Sequence, residues 1–156
     1  MSSLDQRPRS RLGTAGWLVV LVGSGLLVLQ GATWFFSGPD MALANIAERT
    51  TLDGDEFRRG TPSAFDVITV VTRQQAVYGA ALGLLTLLVA WHGYRGRSRW
   101  AWWSCWVVVA AVAATGLSFA LSGGPQIGAF YAGFSVFIGA GLALARAGWQ
   151  REEAPG

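Results

Sequence analysis

Long apolar runs alternate with short polar segments along this chain. Four of the runs approach or exceed the roughly 20 residues that an α-helix needs to cross a bilayer. They predict transmembrane helices over residues 13–36, 69–91, 100–121 and 126–146. We therefore predict an all-α fold, an integral membrane four-helix bundle that forms a single domain.

The connections between these helices differ in length and character. Residues 37–66 form a long polar segment, residues 92–99 form a short basic turn, and a Gly-Gly-Pro sequence at 123–125 separates the last two helices. The two short connections should make the second, third and fourth helices antiparallel neighbours in chain order. Tails at 1–11 and 147–156 complete the predicted organisation.

The long polar segment has local signals for short helical structure. Residues 37–40, Ser-Gly-Pro-Asp, are typical of a helix start, so we predict a separate short helix over 41–49. Asp53 can cap a further turn that has Glu56 at its third position, and Ser63 is the predicted cap of the second transmembrane helix. The acidic run around Asp53 lacks the twelve-residue pattern of a calcium loop, so we expect no metal there.

The charged residues predict how the helices are oriented. All 12 basic residues are arginines, and the lack of lysine beside abundant Ala and Gly is typical of GC-rich bacteria. Arginines cluster in the N-terminal tail, in the 92–99 turn and after the fourth helix, whereas 37–66 is acidic on balance. Basic loops remain in the cytoplasm. We therefore predict a multi-pass inner-membrane protein with both termini cytoplasmic and with no affinity for nucleic acid.

Aromatic residues near the helix ends support the same boundaries, because tryptophan is enriched at membrane interfaces. Trp17, Trp91 and Trp149 are predicted to anchor the cytoplasmic ends of three helices, and Trp34 and Phe36 are predicted to anchor the first helix at the outer boundary.

Groups for catalysis are scarce in this sequence. Charged residues make up only 13% of the chain, and the predicted helices contain no Asp, Glu, Lys or His. Proton-coupled carriers depend on such intramembrane groups. The only histidine, His92, and the only cysteine, Cys105, provide neither an axial pair for haem nor the ligands of a zinc site. We therefore expect no metal and no cofactor, and we favour a protein without catalytic activity.

One polar cluster stands out at the outer end of the second helix. It contains Arg73 and Gln74, with Gln30 in the outer half of the first helix and Asp66 near the same helix face as Arg73. At about 1.5 Å per residue, Arg73 lies roughly 27 Å from Trp91, close to the hydrocarbon boundary. Arg73 then either reaches the headgroups or pairs with Asp66. Alternatively, the cluster lines an outward-facing pocket for an anionic or carbonyl-bearing lipid or a quinone.

Rows of small residues predict helix–helix contacts, because small side chains let helices approach closely in lipid. Such rows suit packing within one bundle and homodimerisation equally. The predicted packing residues are Ala76, Gly79 and Gly83 of the second helix, Ala110, Ala114 and Ser118 of the third, and Ser135, Gly139 and Ala143 of the fourth.

Residues 73–83, RQQAVYGAALG, place an arginine a few residues before a Gly-rich row. This arrangement, together with the Ser-Gly-Gly-Pro at 122–125, resembles small four-helix bacterial membrane proteins of the DoxX-like group. The resemblance covers the second to fourth helices and implies architecture, with no catalytic residue to carry across. Some members of that group are associated with respiratory or redox membrane complexes. We therefore expect an accessory or interaction subunit without catalysis. The alternative is a lipid- or quinone-binding protein or a membrane enzyme with a pocket near Arg73.

Overall fold

A computed structural model describes residues 10–49, 53–96, 98–121 and 125–153, and within these ranges the protein is all-α. Its helices are α1 (Arg11–Arg49), α2 (Gly54–Gly60), α3 (Pro62–Gly96), α4 (Arg99–Leu121) and α5 (Pro125–Glu153). All except α2 are long and apolar enough to cross a membrane. The prediction of a four-helix membrane bundle with a short helix between its first two spans is confirmed. Gly123 and Gly124 of the predicted break lie outside the described residues.

Helix α1 is longer than the predicted first span. It continues through Pro39 as far as Arg49, so the predicted helix start at residues 37–40 and the separate short helix over 41–49 are both wrong. The short helix between the first two spans is α2, at Gly54–Gly60. A proline inside a helix removes one backbone hydrogen bond. Here Gly38 and Pro39 are both buried, and a Cβ placed on Gly38 would lie 3.5 Å from Cβ of Thr72 on α3. Packing against α3 therefore outweighs the bond that Pro39 removes.

The helix caps at the start of α2 and α3 follow from local chemistry. Asp53 caps α2 as predicted, since its Oδ1 accepts a hydrogen bond from the backbone N–H of Asp55 at 2.8 Å. Helix α3 begins at Pro62, and the carbonyl of Thr61 accepts its first backbone bonds. Ser63 therefore lies inside the first turn, and its prediction as the cap is wrong. The fixed φ of proline suits the first helical position.

The described residues divide into two compact units, and α1 and α3 contribute to both. The first unit contains the residues up to Ser24 and those from Thr86 onward, and the second contains Gly25–Leu85. The expectation of a single domain stays a prediction.

The first unit packs α4 and α5 together with the start of α1. The buried side of α4 carries Ala101, Cys105, Val108, Val112 and Gly116. The buried residues of α5 include Ser135, Ile138, Leu142, Ala145 and Trp149. On both helices successive residues of these sets are three or four positions apart, which is the spacing of side chains along the seam of left-handed helix pairs.

Glycines set the closest approach of α1 to α5 within this unit. A Cβ added to Gly16 would lie 2.3 Å from the backbone nitrogen of Ala145 and 2.5 Å from the carbonyl oxygen of Gly141. Only glycine lets the two backbones come this close. Nearby, Trp17 and Trp149 pack on each other with ring centroids 6.1 Å apart. Trp17 is 2% exposed and Trp149 is 8% exposed, so both are packing residues and their prediction as interface anchors is wrong.

The second unit packs α3 against the adjoining part of α1, with α2 folded beside them. A Cβ added to Gly31 of α1 would lie 2.6 Å from the backbone nitrogen of Ala80. The α2 helix is attached by Arg58, whose guanidinium pairs with Asp40 of α1 and lies 4.3 Å from the ring centroid of Phe65 on α3. One side chain thus links all three helices of this unit.

Candidate functional site

Among the residues that the structure describes, the buried polar ones are Ser24, Thr72, Thr86 and Ser135. Three of these hydroxyls donate to carbonyls of their own helix at 2.8 to 2.9 Å, from Ser24 to Val20, from Thr72 to Ile68 and from Ser135 to Tyr131. Such bonds to the preceding helical turn occupy the hydroxyl proton. Across the described chain, no group of three or more His, Cys, Asp or Glu side chains gathers in a way that could hold a metal ion.

Arg73 lies on the exposed side of α3, and its guanidinium faces an aromatic ring. The guanidinium carbon is 5.6 Å from the ring centroid of Phe35 on α1, within the range of a cation–π contact. Asp66 is exposed two helical turns earlier on α3. Both residues are described, and no ion pair joins them. Seven residues correspond to a rise of about 10.5 Å, so the ring of Phe35 is the nearer partner for Arg73.

Gln74 is hydrogen-bonded to Tyr78, which does not belong to the polar cluster predicted from the sequence. Its Nε2 donates to the hydroxyl oxygen of Tyr78 at 2.9 Å, and both side chains are exposed on α3. The signal for this pair was the four-residue spacing, which places two side chains on one side of a helix. Gln30 is half-buried on α1. The structure therefore places Arg73 and Gln74 on a surface of α3, with Tyr78 rather than Asp66 beside them.

The small residues predicted for the second span divide into two kinds. Ala76 is 4% exposed, and a Cβ added to Gly83 would lie 2.8 Å from the backbone nitrogen of Val28, so both lie where α3 packs on α1. A Cβ added to Gly79 would have no atom within 4 Å. Gly79 is therefore not a close-packing residue within this chain, and its predicted role in helix packing between chains stays a prediction.

In the last span, Ser135 and Gly139 are buried, and a Cβ added to Gly139 would touch the ring of Trp106 at 3.5 Å. Ala143 is exposed. Residues spaced by four positions shift by about 40° around the helix axis at each step. Ala143 therefore no longer lies on the buried side.

The small-residue row of α4 is the largest departure from the sequence-based expectation. Ala110, Ala114 and Ser118 are all exposed. At 3.6 residues per turn they lie about 160° around the helix from the buried row that contains Val108 and Val112. We call Ala110, Ala114 and Ser118 the α4 outer row.

Bulky exposed side chains surround the α4 outer row, namely Trp103, Val107, Leu117 and Leu121. The row therefore forms a low strip between larger residues on the surface of this span. A second helix could approach the α4 backbone closely along such a strip.

Comparison of the chain with protein-family models, with curated proteins and with solved structures gives no match.

Proposed function

We propose that this protein is a non-catalytic accessory subunit of a bacterial inner membrane, which binds a helix of another membrane protein along the α4 outer row. The carrying observation is that this row is exposed and lies opposite the side of α4 that packs within the chain. A distant relationship to the DoxX-like group, based on residues 73–83, belongs to the same proposal.

Two properties of the structure support a docking role over catalysis. The buried hydroxyls of Ser24, Thr72 and Ser135 donate hydrogen bonds to carbonyls of their own helices. In lipid, helix association depends on close packing and interhelical hydrogen bonds, since lipid tails are as apolar as the side chains. A row of two alanines and a serine offers close approach together with a hydroxyl group, and within this chain α4 leaves that row exposed.

The arginine distribution supports cytoplasmic N- and C-terminal ends and an outer position for α2. Cysteine accessibility tests this orientation. In a Cys105→Ala background, a membrane-impermeant maleimide should label a cysteine introduced at Arg59 in intact cells, but one introduced at Arg99 only after the cells are opened. The reverse pattern would contradict the orientation.

The docking proposal is tested by enlarging one residue of the α4 outer row. The variant Ala114→Leu should lose a partner that the unmodified protein retains at fixed stoichiometry when both are extracted in native nanodiscs and weighed by native mass spectrometry. Ala113→Leu is the matched control, because Ala113 is exposed on the same helix outside the row and should retain the partner.

Three results would count against this proposal. They are a protein that is monomeric and partner-free in native nanodiscs, a partner that is retained in Ala114→Leu, and a partner that is lost equally in Ala113→Leu. A dimer of this chain that is lost only in Ala114→Leu would keep the docking row but replace the accessory role with self-association.

The pocket near Arg73 is the second interpretation from the sequence, and the geometry favours it less. Gln30 is half-buried, whereas Asp66, Arg73 and Gln74 are exposed, and the amide of Gln74 is bonded to Tyr78. A quinone or an enzyme substrate needs a concave, largely apolar site. The exposed surface of α3 around Arg73 suits a different ligand.

A further inference from the structure

We infer that the surface of α3 around Arg73 binds the phosphate of an anionic glycerophospholipid, with one acyl chain lying along α3. We call the polar part of this surface, which consists of Arg73, Gln74 and Tyr78, the α3 polar patch. The inference is independent of the docking row on α4.

The guanidinium of Arg73 is the charged group of the patch, and no described carboxylate neutralises it. Its guanidinium carbon lies 5.6 Å from the ring centroid of Phe35, and the Arg73 side chain is exposed. Arg58 differs, because it pairs with Asp40. A long arginine side chain near the hydrocarbon boundary can reach the headgroup level, where lipid phosphates lie, and arginine binds phosphate through two parallel N–H donors.

Gln74 and Tyr78 supply further donors on the same helix. The hydroxyl oxygen of Tyr78 accepts a hydrogen bond from Gln74 Nε2 at 2.9 Å, so its own O–H remains able to donate. Tyr78 is 64% exposed. A glycerophospholipid presents both a phosphate and ester carbonyls as acceptors. The charged Arg73 suits the phosphate, and the neutral donors of Gln74 and Tyr78 suit the ester carbonyls.

Apolar residues run through and beyond the patch on the same side of α3. Val70 and Val77 are 64% and 51% exposed, and at 100° per residue both lie between Arg73 and Gln74 around the helix. Ala81 and Leu84 continue this side of the helix and are also exposed. An acyl chain can lie along this exposed apolar strip, and the small side chain of Ala81 lets it approach the helix closely. A free phosphate would gain nothing from this apolar strip, which favours the lipid as the ligand.

The test is a lipid titration of the purified full-length protein followed by native mass spectrometry. Phosphatidylglycerol and phosphatidylcholine with identical acyl chains are compared, with inorganic phosphate as a further arm. We expect one phosphatidylglycerol to bind more tightly than phosphatidylcholine. Arg73→Gln should weaken phosphatidylglycerol binding by about fivefold, the equivalent of ~1 kcal/mol for one basic side chain near an anionic surface. Tyr78→Phe should weaken it by about twofold.

Arg59→Gln is the matched control, since it removes the same charge from an exposed residue of α2 in the same unit. It should leave lipid binding unchanged. Arg73→Lys retains the charge without the planar fork and should show an intermediate affinity, which keeps the test usable if Arg73→Gln fails to fold. Equal binding of the two lipids, equal effects of Arg59→Gln and Arg73→Gln, or saturation of the site by inorganic phosphate alone would overturn the inference.

Discussion

Replacing Gly83 by alanine should destabilise the protein relative to the same replacement at Gly79. The two glycines lie one turn apart on α3 and form the GxxxG pattern of the second span. A Cβ added to Gly83 would lie 2.8 Å from the backbone nitrogen of Val28 and 2.9 Å from Cβ of Leu27, whereas one added to Gly79 would meet nothing within 4 Å. The added methyl group is therefore crowded by α1 at position 83 and has free space at position 79.

The magnitude follows from these distances. Ordinary van der Waals contact begins at 3.4 Å, so α1 must retreat by about 0.6 Å to accept the new methyl group of Gly83→Ala. Overpacking of this kind costs about 1–3 kcal/mol. Both variants also gain up to about 1 kcal/mol from the higher helix propensity of alanine. Because that gain is common to both, Gly83→Ala should be less stable than Gly79→Ala by about 1–3 kcal/mol.

The assay is reversible unfolding in mixed micelles of a mild detergent and dodecyl sulfate, followed by circular dichroism. Free energies of unfolding are compared for the unmodified protein and the two variants. Repeating the measurement at tenfold higher protein concentration separates intrachain packing from self-association, since only the latter depends on concentration. Equal stability of the two variants would refute the close approach of α1 and α3 at Gly83.

Three further predictions follow from individual contacts. Trp102→Phe removes the hydrogen bond from Trp102 Nε1 to the carbonyl of Leu142 at 2.8 Å, so the free energy of unfolding should fall by about 0.5–1.5 kcal/mol. Trp103 is exposed, so Trp103→Phe should change that free energy little. Arg58→Gln should lower the melting temperature slightly and make it less sensitive to salt, since exposed ion pairs contribute below about 1 kcal/mol. Asp53→Ala should cost α2 about 1 kcal/mol of capping energy, seen as faster amide exchange over residues 54–60.

Each of these three predictions has a result that would contradict it. For the tryptophans it is an equal loss of stability in Trp102→Phe and Trp103→Phe. For Arg58→Gln it is an unchanged salt dependence of the melting temperature, with Arg59→Gln as the charge-matched control. For Asp53→Ala it is amide exchange in α2 that matches the unmodified protein.

Local signals predicted some boundaries correctly and others not. The Asp53 cap was predictable because it depends on a side chain and an N–H two residues away. The continuation of α1 through Pro39 was not, because it depends on contacts with Thr72 of α3, more than thirty residues along the chain. The ligand site predicted around Arg73 stays a prediction, and its expected neighbour Asp66 is not beside Gln74. Asp66 shares its helix face only two turns away, whereas Tyr78 bonds to Gln74 directly.

The amino-acid sequence by itself determined that this protein has four helices long and apolar enough to cross a membrane, and that Asp53 caps a turn between the first two. Partition into a bilayer depends on the apolar composition of about 20 successive residues, which needs no knowledge of neighbouring helices. Only the tertiary structure decided which side of each helix packs. In lipid both sides of a helix are apolar, and small residues occur on both sides of α4. The buried row at Val108 and the exposed row at Ala114 therefore differ only in what lies beside them.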